Sequence, residues 1–158
     1  MFNVDIRNFQ ITDLDDVLRI QFQSFDDPYP VGILLELFNR GAGFLVAQVG
    51  RSVVGYIIFW IRDGSGHIIA IAVDERFRSM AIGSMLLDKA IELIKQNDIF
   101  TVKLEVRKSN ITARKFYLKK GFKQVKYCKK YYSDGEDGII MQYTITNNYY
   151  FFLWIYLL

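Results

Sequence analysis

A strand, a long helix and a second strand follow one another between residues 67 and 106, and this order constrains the fold more than any other feature. The strands are at 67–73 and 101–106, and the helical pattern covers about 80–96. Strands joined through a helix must run parallel or nearly so. The first strand is apolar almost throughout, which indicates burial on both faces. The sequence therefore predicts a mixed α/β sheet.

Hydrophobic periodicity and turn residues divide the rest of the chain into further elements. Thr12 begins a helix with Asp15 three residues on, as in a capping box. The apolar stripe of this helix is predicted to comprise Leu14, Leu18, Phe22 and Phe25. Two more helices are predicted at 33–39 and 111–120, and strands at 3–8, 43–49, 53–61, 122–132 and 138–145.

The length of 158 residues indicates one domain, predicted to cover residues 1–146. Apolar residues make up 51% of the chain, enough to fill a core without disulfides or metals. Cys128 and His67 are the sole cysteine and histidine, which excludes an intrachain disulfide and makes a Cys/His metal site implausible. We therefore predict no metal site and, in the absence of a signal-peptide pattern, a reducing, cytoplasmic location.

The last ten residues, 149–158, are all apolar or aromatic and carry no charge. A spanning helix needs about 20 such residues, so no transmembrane segment is predicted. Residues 147–158 are predicted to form a tail that packs on the domain, joins copies of the chain into a homo-oligomer, or lies in a membrane surface. Packing or self-association is favoured because no basic face accompanies the tail.

Positive charge is concentrated between Lys103 and Lys130, where 11 Lys and Arg residues accompany a single acid, Glu105. The rest of the chain has 9 Lys and Arg and 16 acids, so the two regions carry +10 and −7. This asymmetry indicates an anionic ligand or a nucleic acid. A solvated lysine face is the alternative interpretation.

The turn between the strand ending at Val73 and the next helix has the features of an anion site. Small residues stand at Ala81 and Gly83, and Arg76 and Arg78 add positive charge. Backbone N–H groups at a helix N-terminus, at the positive end of its dipole, bind anions. Because Walker A and G-x-G-x-x-G motifs are absent, a nucleotide hydrolase or a classical dinucleotide enzyme is disfavoured.

Three motifs occur in order: R-x-x-A-x-G at 78–83, L-E-V-R-x-S-N-x-x-A-x-x-F-Y-x-x-x-G-F at 104–122, and Y-Y-x-D-G-E-D at 131–137. With these residues the sequence resembles the GNAT acetyltransferase superfamily and, within it, the protein N-alpha-acetyltransferases of archaea, eukaryotes and bacteria. The bacterial members include the ribosomal-protein alanine acetyltransferase. The resemblance covers about 67–141. It implies a mixed, mostly antiparallel seven-stranded sheet with a central parallel pair of fourth and fifth strands, flanked by about four helices.

The resemblance also implies acetyl-CoA as the acetyl donor. Its pyrophosphate would lie on the amides of the 78–83 turn, and its pantetheine arm would follow the 71–73 strand edge, where this strand parts from the strand containing Leu104. Ala81 stands where the family usually has glycine. The residues assigned to the cofactor are Ile71, Ala72, Val73, Arg78, Ser79, Met80, Ala81, Ile82, Gly83, Ser84, Asn110 and Tyr117. Asn110 would also cap the helix that follows it.

Three residues are the catalytic candidates. Glu105, on a strand with Leu104 and Val106 facing the other side, matches the family's general base, acting through water; a charge pair with a nearby Lys or Arg is the alternative. Tyr117 matches the general acid that protonates the CoA sulfur. His67 matches a histidine with a catalytic or water-ordering role, and whether Glu105 or His67 is the main base stays open. Direct transfer needs no nucleophile, so Cys128 is a bystander.

Substrate selection in the family belongs to the loop after the first helix and to the late loop. The residues so assigned here are Asp27, Pro28, Tyr29, Tyr131 and Tyr132. The resemblance implies acetylation of protein N-termini, and ribosome proximity would suit such an enzyme; no stable nucleic-acid complex is expected. The alternatives are acetylation of lysine side chains or small amines, or a basic RNA- or ribosome-docking module.

Overall fold

The computed structural model describes residues 3–146, and the tail of 147–158 that the sequence singles out lies outside the described residues. The described elements are β1 (Val4–Asn8), α1 (Leu14–Ser24), α2 (Val31–Asn39), β2 (Gly43–Val49), β3 (Ser52–Arg62), β4 (Ser65–Val73), α3 (Ile82–Gln96), β5 (Thr101–Arg107), α4 (Ile111–Lys119), β6 (Lys123–Cys128) and β7 (Gly138–Thr144). None of the helices within 3–146 is long and apolar enough to span a membrane.

The strands form one sheet in the order β1-β2-β3-β4-β5-β7-β6. The sheet is mostly antiparallel, with β4 and β5 running parallel, so the predicted mixed α/β fold is confirmed. The described chain divides into two compact units. The first comprises residues 3–61 and 67–93, and the second comprises 62–66 and 94–146.

The core of the first unit contains side chains from α1, α2, β2, β3 and β4, together with Phe9, which follows β1. β1, β2 and β3 pair antiparallel, with Val46 of β2 opposite Tyr56 of β3. Val17 and Ile20 of α1 and Leu34 of α2 belong to the same buried cluster as these strand residues. The cluster gives the first unit an apolar centre that holds both helices on the strands.

Three of the four residues predicted for the apolar stripe of α1, Leu14, Leu18 and Phe25, pack against this buried cluster. Val17 and Ile20 are completely buried, whereas Phe22, a member of the predicted stripe, is 69% exposed. Buried Gln21 fixes the same rotation of the helix, because its Nε2 donates to the carbonyl of Tyr29 at 2.8 Å. Val17 and Ile20, three residues apart on one side of the helix, thus face the core, and Phe22 faces away from it.

The start of α1 is also two residues away from the predicted capping box at Thr12 and Asp15. A short 3₁₀ turn at Ile11–Asp13 precedes the helix. The Asp13 carboxylate accepts the Gln10 N–H at 2.8 Å and is held by Arg7 through two bonds of 2.8 and 2.9 Å. The capping box is thus formed by Gln10 and Asp13 instead of Thr12 and Asp15. Arg7 on β1 holds the Asp13 carboxylate in this position.

β4 buries one face rather than the two that its apolar composition indicates. Ile68, Ala70 and Ala72 are buried, while Ile69 and Ile71 on the other face are only half-buried. An apolar run is equally compatible with a strand covered on both faces and with one that leaves an apolar face partly open. The burial pattern of β4 shows the second case.

The second unit is a three-stranded antiparallel sheet with α4 on one side. Leu104 pairs with Met141 and Val106 with Ile139 across β5 and β7, and all four are buried. α4 packs on this side through Tyr117, whose ring lies 5.5 Å from that of Phe122; the Phe122 ring is in turn 5.4 Å from that of Tyr143. We call this side of the three strands the α4 face.

The opposite side of the same strands bears polar residues, and we call it the Glu105 face. It comprises Lys103, Glu105 and Arg107 of β5, Gly138, Ile140 and Gln142 of β7, and Lys123, Lys126 and Cys128 of β6. β6 ends at Cys128, shorter than the predicted 122–132, because Lys130 has a φ of 51° and the chain turns into a loop before Gly138.

Candidate active site

The turn between β4 and α3 presents backbone amides at a helix N-terminus. Ser79 and Ala81 have φ values of 63° and 62°, so peptide groups change direction around Met80. The N–H of Met85 bonds to the carbonyl of Ala81 at 3.0 Å, which starts the helical pattern of α3. Amides of a first helical turn point out of the helix end, where the dipole is positive. The geometry therefore fits an anion such as a diphosphate.

Arg78 closes this turn onto the end of β4. Its Nε donates to the carbonyl of Val73 at 3.1 Å, and its Nη2 donates to the hydroxyl of Ser24 at 3.3 Å. The side chain is therefore held beside the amides by contacts from β4 and α1. The positive charge of Arg78 is thus fixed next to the end of β4, and its role at the turn stays a prediction.

Arg76 pairs with Asp74, whereas the sequence predicts that its charge serves the anion site of the turn. Its Nε and Nη2 donate to the carboxylate of Asp74 at 3.1 and 2.8 Å, and Arg19 donates to the same carboxylate at 2.6 Å. The Asp74 side chain is 0% exposed. The hydrogen bonds from Arg76 and Arg19 hold the pKa of Asp74 far below its usual range, against the opposing effect of burial. Arg76 thus neutralises a buried acid.

The half-buried face of β4 contains His67 together with Ile69, Ile71 and Val73. The loop between α1 and α2 reaches this strand, because the hydroxyl of Tyr29 donates to the carbonyl of Ile69 at 3.4 Å. In the same loop Asp27 is exposed and Pro28 is half-buried. The first unit thus brings together the predicted turn, the β4 residues, His67 and the first substrate loop.

In the second unit Glu105 is half-buried on the Glu105 face, and its neighbours Leu104 and Val106 are buried on the α4 face, as predicted. Burial raises the pKa of Tyr132 to about 12, and the negative charge of Glu105 contributes to this rise. The predicted base and one of the predicted substrate residues are therefore electrostatic neighbours.

A cluster around Arg107 holds the loop that carries Tyr131 and Tyr132. Nη1 of Arg107 donates to the carboxylates of Asp134 and Glu136 at 2.7 and 2.9 Å. Glu136 also accepts the N–H of Ser109 at 2.9 Å. The guanidinium carbon of Arg107 lies 4.1 Å from the centroid of the Tyr132 ring. We call this set of contacts the Arg107 clamp.

The remaining contacts of the loop fix its two ends. Asp137 accepts the hydroxyl of Tyr127 and the N–H of Lys130. A Cβ at Gly138 would stand 2.9 Å from atoms of the Tyr131 side chain, so only glycine leaves room for that ring there. The D-G-E-D residues of the motif thus serve to build the loop, and this organising role, together with that of Arg107, was missed from the sequence.

Tyr117 is 7% exposed, and its ring packs against Phe116 and Phe122 at centroid distances of 5.2 and 5.5 Å. Burial is the main cause that raises the pKa of Tyr117 well above its ordinary value, so the phenol keeps its proton. Tyr117 and Glu105 belong to opposite faces of the second unit. Asn110 caps α4 as predicted, since its Oδ1 accepts the N–H of Ala113 at 3.1 Å.

The described residues 3–146 hold no group of three or more His, Cys, Asp and Glu side chains arranged to bind a metal ion. Separately, Glu105, His67 and Tyr117 carry groups of the kind that exchange protons, and the backbone amides of the 78–84 turn are of the kind that bind anions.

Comparison with known proteins gives a consistent family. The model of the Acetyltransferase (GNAT) family matches residues 11–122. A relative described as an uncharacterized N-acetyltransferase from Methanocaldococcus jannaschii is 41% identical over 139 residues, covering 86% of this chain and 88% of its own. An N-alpha-acetyltransferase from Sulfurisphaera tokodaii is 38% identical over 150 residues, covering 86% and 90%.

The fold is similar to that of a solved structure, Ard1 from Thermoplasma volcanium. The TM-score is 0.86 at 34% sequence identity, and the alignment covers 91% of this chain and 99% of that protein. Sequence and structural similarity thus extend over nearly the whole described chain.

Proposed function

Because this chain belongs to the GNAT family of acetyltransferases, we propose that it transfers the acetyl group of acetyl-CoA to the N-terminal α-amino group of proteins. Acetyl transfer follows from the family. The choice of the α-amine is supported by the relative named N-alpha-acetyltransferase, at 38% identity over most of both chains, and by the Y-Y-x-D-G-E-D loop described above.

The residues of the first unit fit acetyl-CoA. The amides and Arg78 of the 78–84 turn suit its diphosphate, and the half-buried apolar face of β4 suits its pantetheine arm. When bound, acetyl-CoA supplies the acetyl group as an activated thioester. The first-unit residues proposed to hold it are Ile71, Ala72, Val73, Arg78, Ser79, Met80, Ala81, Ile82, Gly83 and Ser84. Asn110 and Tyr117 of the second unit are proposed as further cofactor contacts.

Glu105 is proposed as the base that takes a proton from the substrate ammonium, directly or through water, because only a neutral amine can attack. Removing that proton at pH 7 costs roughly 1–1.4 kcal/mol for an α-amine and about 4.6 kcal/mol for a lysine side chain. A half-buried carboxylate is therefore sufficient for a chain terminus. His67, half-buried at the start of β4, is proposed as a second base or an anchor for the relaying water.

Tyr117 is proposed as the acid. Its hydroxyl proton passes to the thiolate that leaves when the tetrahedral intermediate collapses to the amide. The second proton of the amine, released as the amide forms, reprotonates the Tyr117 phenolate through solvent, and the proton taken earlier by Glu105 also returns to solvent, so protons balance. The attacking nitrogen and the departing sulfur are bonded to one carbon in the tetrahedral intermediate, so the base and the acid must both reach a single reaction centre, directly or through water.

Asp27, Pro28, Tyr29, Tyr131 and Tyr132 are proposed to contact the peptide substrate. In the first unit, Tyr29 offers a hydroxyl at the edge of the loop that contacts β4. In the second unit, the Tyr131–Tyr132 pair, whose ring centroids are 5.1 Å apart, offers hydroxyls and flat surfaces to a peptide. A cytoplasmic location, proposed from the single cysteine, would suit substrates that emerge from ribosomes.

The observation that best supports this function is the half-buried Glu105 beside Tyr132, on a face otherwise rich in lysine. The test offers labelled acetyl-CoA to short peptides that cover all twenty first residues and include an internal lysine. Fragmentation then locates the label. We expect it on the α-nitrogen, and label on lysine side chains alone would contradict the proposal.

A matched pair of variants tests the base. Glu105→Gln is expected to lower kcat by about 100-fold or more through loss of proton transfer. Lys115→Gln, at an exposed position on α4, should keep kcat within about twofold of the parent, since kcat reports groups needed in the transition state. Equal kcat values for Glu105→Gln and the parent would contradict the role of Glu105.

A further inference from the structure

We propose that the Glu105 face selects protein termini with acidic residues at about the third to fifth positions. The inference rests on the proposed function, because it places the substrate α-amine at Glu105. It adds a substrate class to that function, defined by the charge of the segment that follows the terminus.

The strand register puts three lysines on the same face as Glu105. Across β5, β7 and β6, Lys103, Gln142 and Lys123 form one row, and Glu105, Ile140 and Lys126 form the next. Residues directly opposite each other on paired strands point to the same side of a sheet. Lys103, Lys123 and Lys126 are all exposed. Lys103 lies two residues from the half-buried Glu105 on β5, and Lys123 and Lys126 lie on β6, across β7 from it.

These lysines have no counter-charge of their own among residues 3–146, where none of the three forms a salt bridge. The remaining cation of the face, Arg107, is occupied by Asp134 and Glu136. Glu105 is thus the one acid among the strand residues that define this face within the described chain. The face therefore has an excess of positive charge directly beside the proposed base.

The spacing of a sheet converts this pattern into positions on a substrate. Neighbouring strands lie about 4.8 Å apart, and alternate residues of one strand lie about 6.8 Å apart, so the three lysine Cα atoms stand roughly 7–12 Å from that of Glu105. An extended peptide advances about 3.4 Å per residue. With its amine at Glu105, its third to fifth residues reach the lysines.

The positive charges of these three lysines also affect the protonation of the bound amine. Nearby cations destabilise an ammonium and so lower the pKa of the bound amine, which favours the neutral form that attacks. The cost is weaker binding of a cationic terminus. Carboxylates further along the substrate offset that cost by pairing with the lysines, and the effect is screened by salt.

A nucleic acid could also be attracted to lysines, but the composition of this face favours a polypeptide. The strand residues that define it in the described chain include Ile140 and Gln142 and no aromatic side chain, and the Tyr132 ring that lies beside it is stacked on Arg107. Single-stranded nucleic acids are bound chiefly by cationic grooves combined with aromatic rings on which bases stack. Three separated lysines are better matched to individual carboxylates.

The test uses the full chain and three peptides with identical first two residues, which carry Glu, Gln or Lys at positions three to five. We expect the KM of the Glu peptide to be about fivefold below that of the Gln peptide at low salt, and this ratio to fall towards one near 0.5 M salt. The Lys peptide should have the highest KM. The KM for acetyl-CoA should be the same with all three.

Two double variants that each remove two exposed lysines provide the matched comparison. Lys103→Gln/Lys126→Gln should abolish most of the preference for the Glu peptide. Lys115→Gln/Lys119→Gln, on α4, should keep it. Lys126→Glu should make the Lys peptide the better substrate.

Equal KM values for the three peptides, with label still on the α-nitrogen, would overturn this inference and leave the proposed function intact. Loss of α-amine labelling with every peptide would instead overturn the proposed function, and this inference with it. Competitive inhibition by a uridine oligonucleotide that the Lys103→Gln/Lys126→Gln variant relieves, without any effect of peptide charge, would assign the face to nucleic acid and contradict the inference.

Discussion

Tyr117 combines deep burial with a phenol proton that the proposed reaction needs. Its pKa is raised above the ordinary value near 10, chiefly by burial. A group with a raised pKa stays protonated to a higher pH than usual. The acid of the reaction is therefore available throughout the range in which an α-amine is neutral.

Tyr117→Phe is expected to lower kcat by about 10- to 100-fold through loss of proton donation to the leaving sulfur. The KM for both substrates and the stability should change little, because the ring that packs on Phe116 and Phe122 is kept. In the parent enzyme, kcat should show no decline between pH 8 and pH 10 that depends on Tyr117. Steady-state rates across this range are the measurement, and a decline that Tyr117→Phe removes would contradict the raised pKa.

Ala81 adopts a conformation that favours glycine, with a φ of 62°. The left-handed region costs a non-glycine residue roughly 1–2 kcal/mol, and glycine gains roughly 0.4–1 kcal/mol of unfolded-state entropy. Ala81→Gly should therefore increase the free energy of unfolding by about 0.5 kcal/mol in chemical denaturation. Ala90→Gly, at a buried position inside α3, is the control and should decrease it by about 1 kcal/mol or more. Destabilisation by Ala81→Gly would show that the turn carries no such strain.

At the scale of elements, the loop between β6 and β7 depends on one arginine of β5. The Arg107 clamp joins that strand to Asp134 and Glu136 and places the guanidinium on Tyr132. A loop without a hydrophobic core of its own needs such contacts to hold its side chains in one arrangement. Arg107 is therefore a positioning residue for Tyr131 and Tyr132.

Arg107→Gln should raise the KM for the peptide about tenfold, because the loop that carries Tyr131 and Tyr132 loses its anchor. A tenfold change corresponds to a loss of about 1.4 kcal/mol of binding free energy. The KM for acetyl-CoA should be unchanged. Arg114→Gln removes the same charge from a residue that bonds the carbonyl of Lys108, and it should leave both values near those of the parent. Hydrogen bonds to backbone and side-chain donors lower the pKa of Asp134 and of Glu136. Both carboxylates are thus ionised above about pH 4, so the clamp should add no pH dependence between pH 6 and pH 9. A parallel rise of both KM values would indicate general damage.

The first turn of α1 offers a test of its observed cap. Asp13→Asn should decrease the free energy of unfolding by about 2 kcal/mol, because a buried carboxylate loses its bonds to Arg7 and Gln10. Asp15→Asn changes the residue that was predicted to cap the helix but does not, so its free energy of unfolding should stay within about 0.5 kcal/mol of that of the parent. The hydrogen bond from Arg7 lowers the pKa of Asp13. Its stabilising effect is therefore present above about pH 4 and is lost as the pH falls through the lowered value. Equal effects of the two substitutions would contradict the observed cap.

The elements also show what the sequence could predict. Every helix and strand was located, because each has its own period and turn residues. The apolar face of α1 was correct at Leu14, Leu18 and Phe25 and wrong at Phe22. Phe22 and Ile20 are both apolar, and only the partner strands decide which one is buried. The single buried face of β4 was missed for the same reason, since an apolar run does not reveal what covers it.

For the candidate site, the motifs supplied the residues and the structure supplied their neighbours. The alternation of Leu104, Glu105 and Val106 was sufficient to place the carboxylate on the polar side of β5. The Arg107 clamp depends on a loop that turns at Gly135, which has a φ of 87°. Its two ion pairs join Arg107 to residues that are 27 and 29 positions further along the chain. No local pattern reports such a contact.

At the scale of the whole molecule, the proposed reaction divides its tasks between the two units. The first contains the amides and apolar strand face proposed for acetyl-CoA, and the second contains the proposed base, the acid and the charged face for the substrate. Acetyl transfer is a property of the GNAT family. The selection of an α-amine is proposed to depend on the residues of the second unit that contact the peptide.

A crystal structure with bound CoA tests the central claim most directly. The account predicts diphosphate oxygens within hydrogen-bond distance of the backbone amides between Ser79 and Gly83, and the sulfur near the hydroxyl of Tyr117. A diphosphate bound elsewhere, or a sulfur lying over the lysines of the Glu105 face, would contradict it.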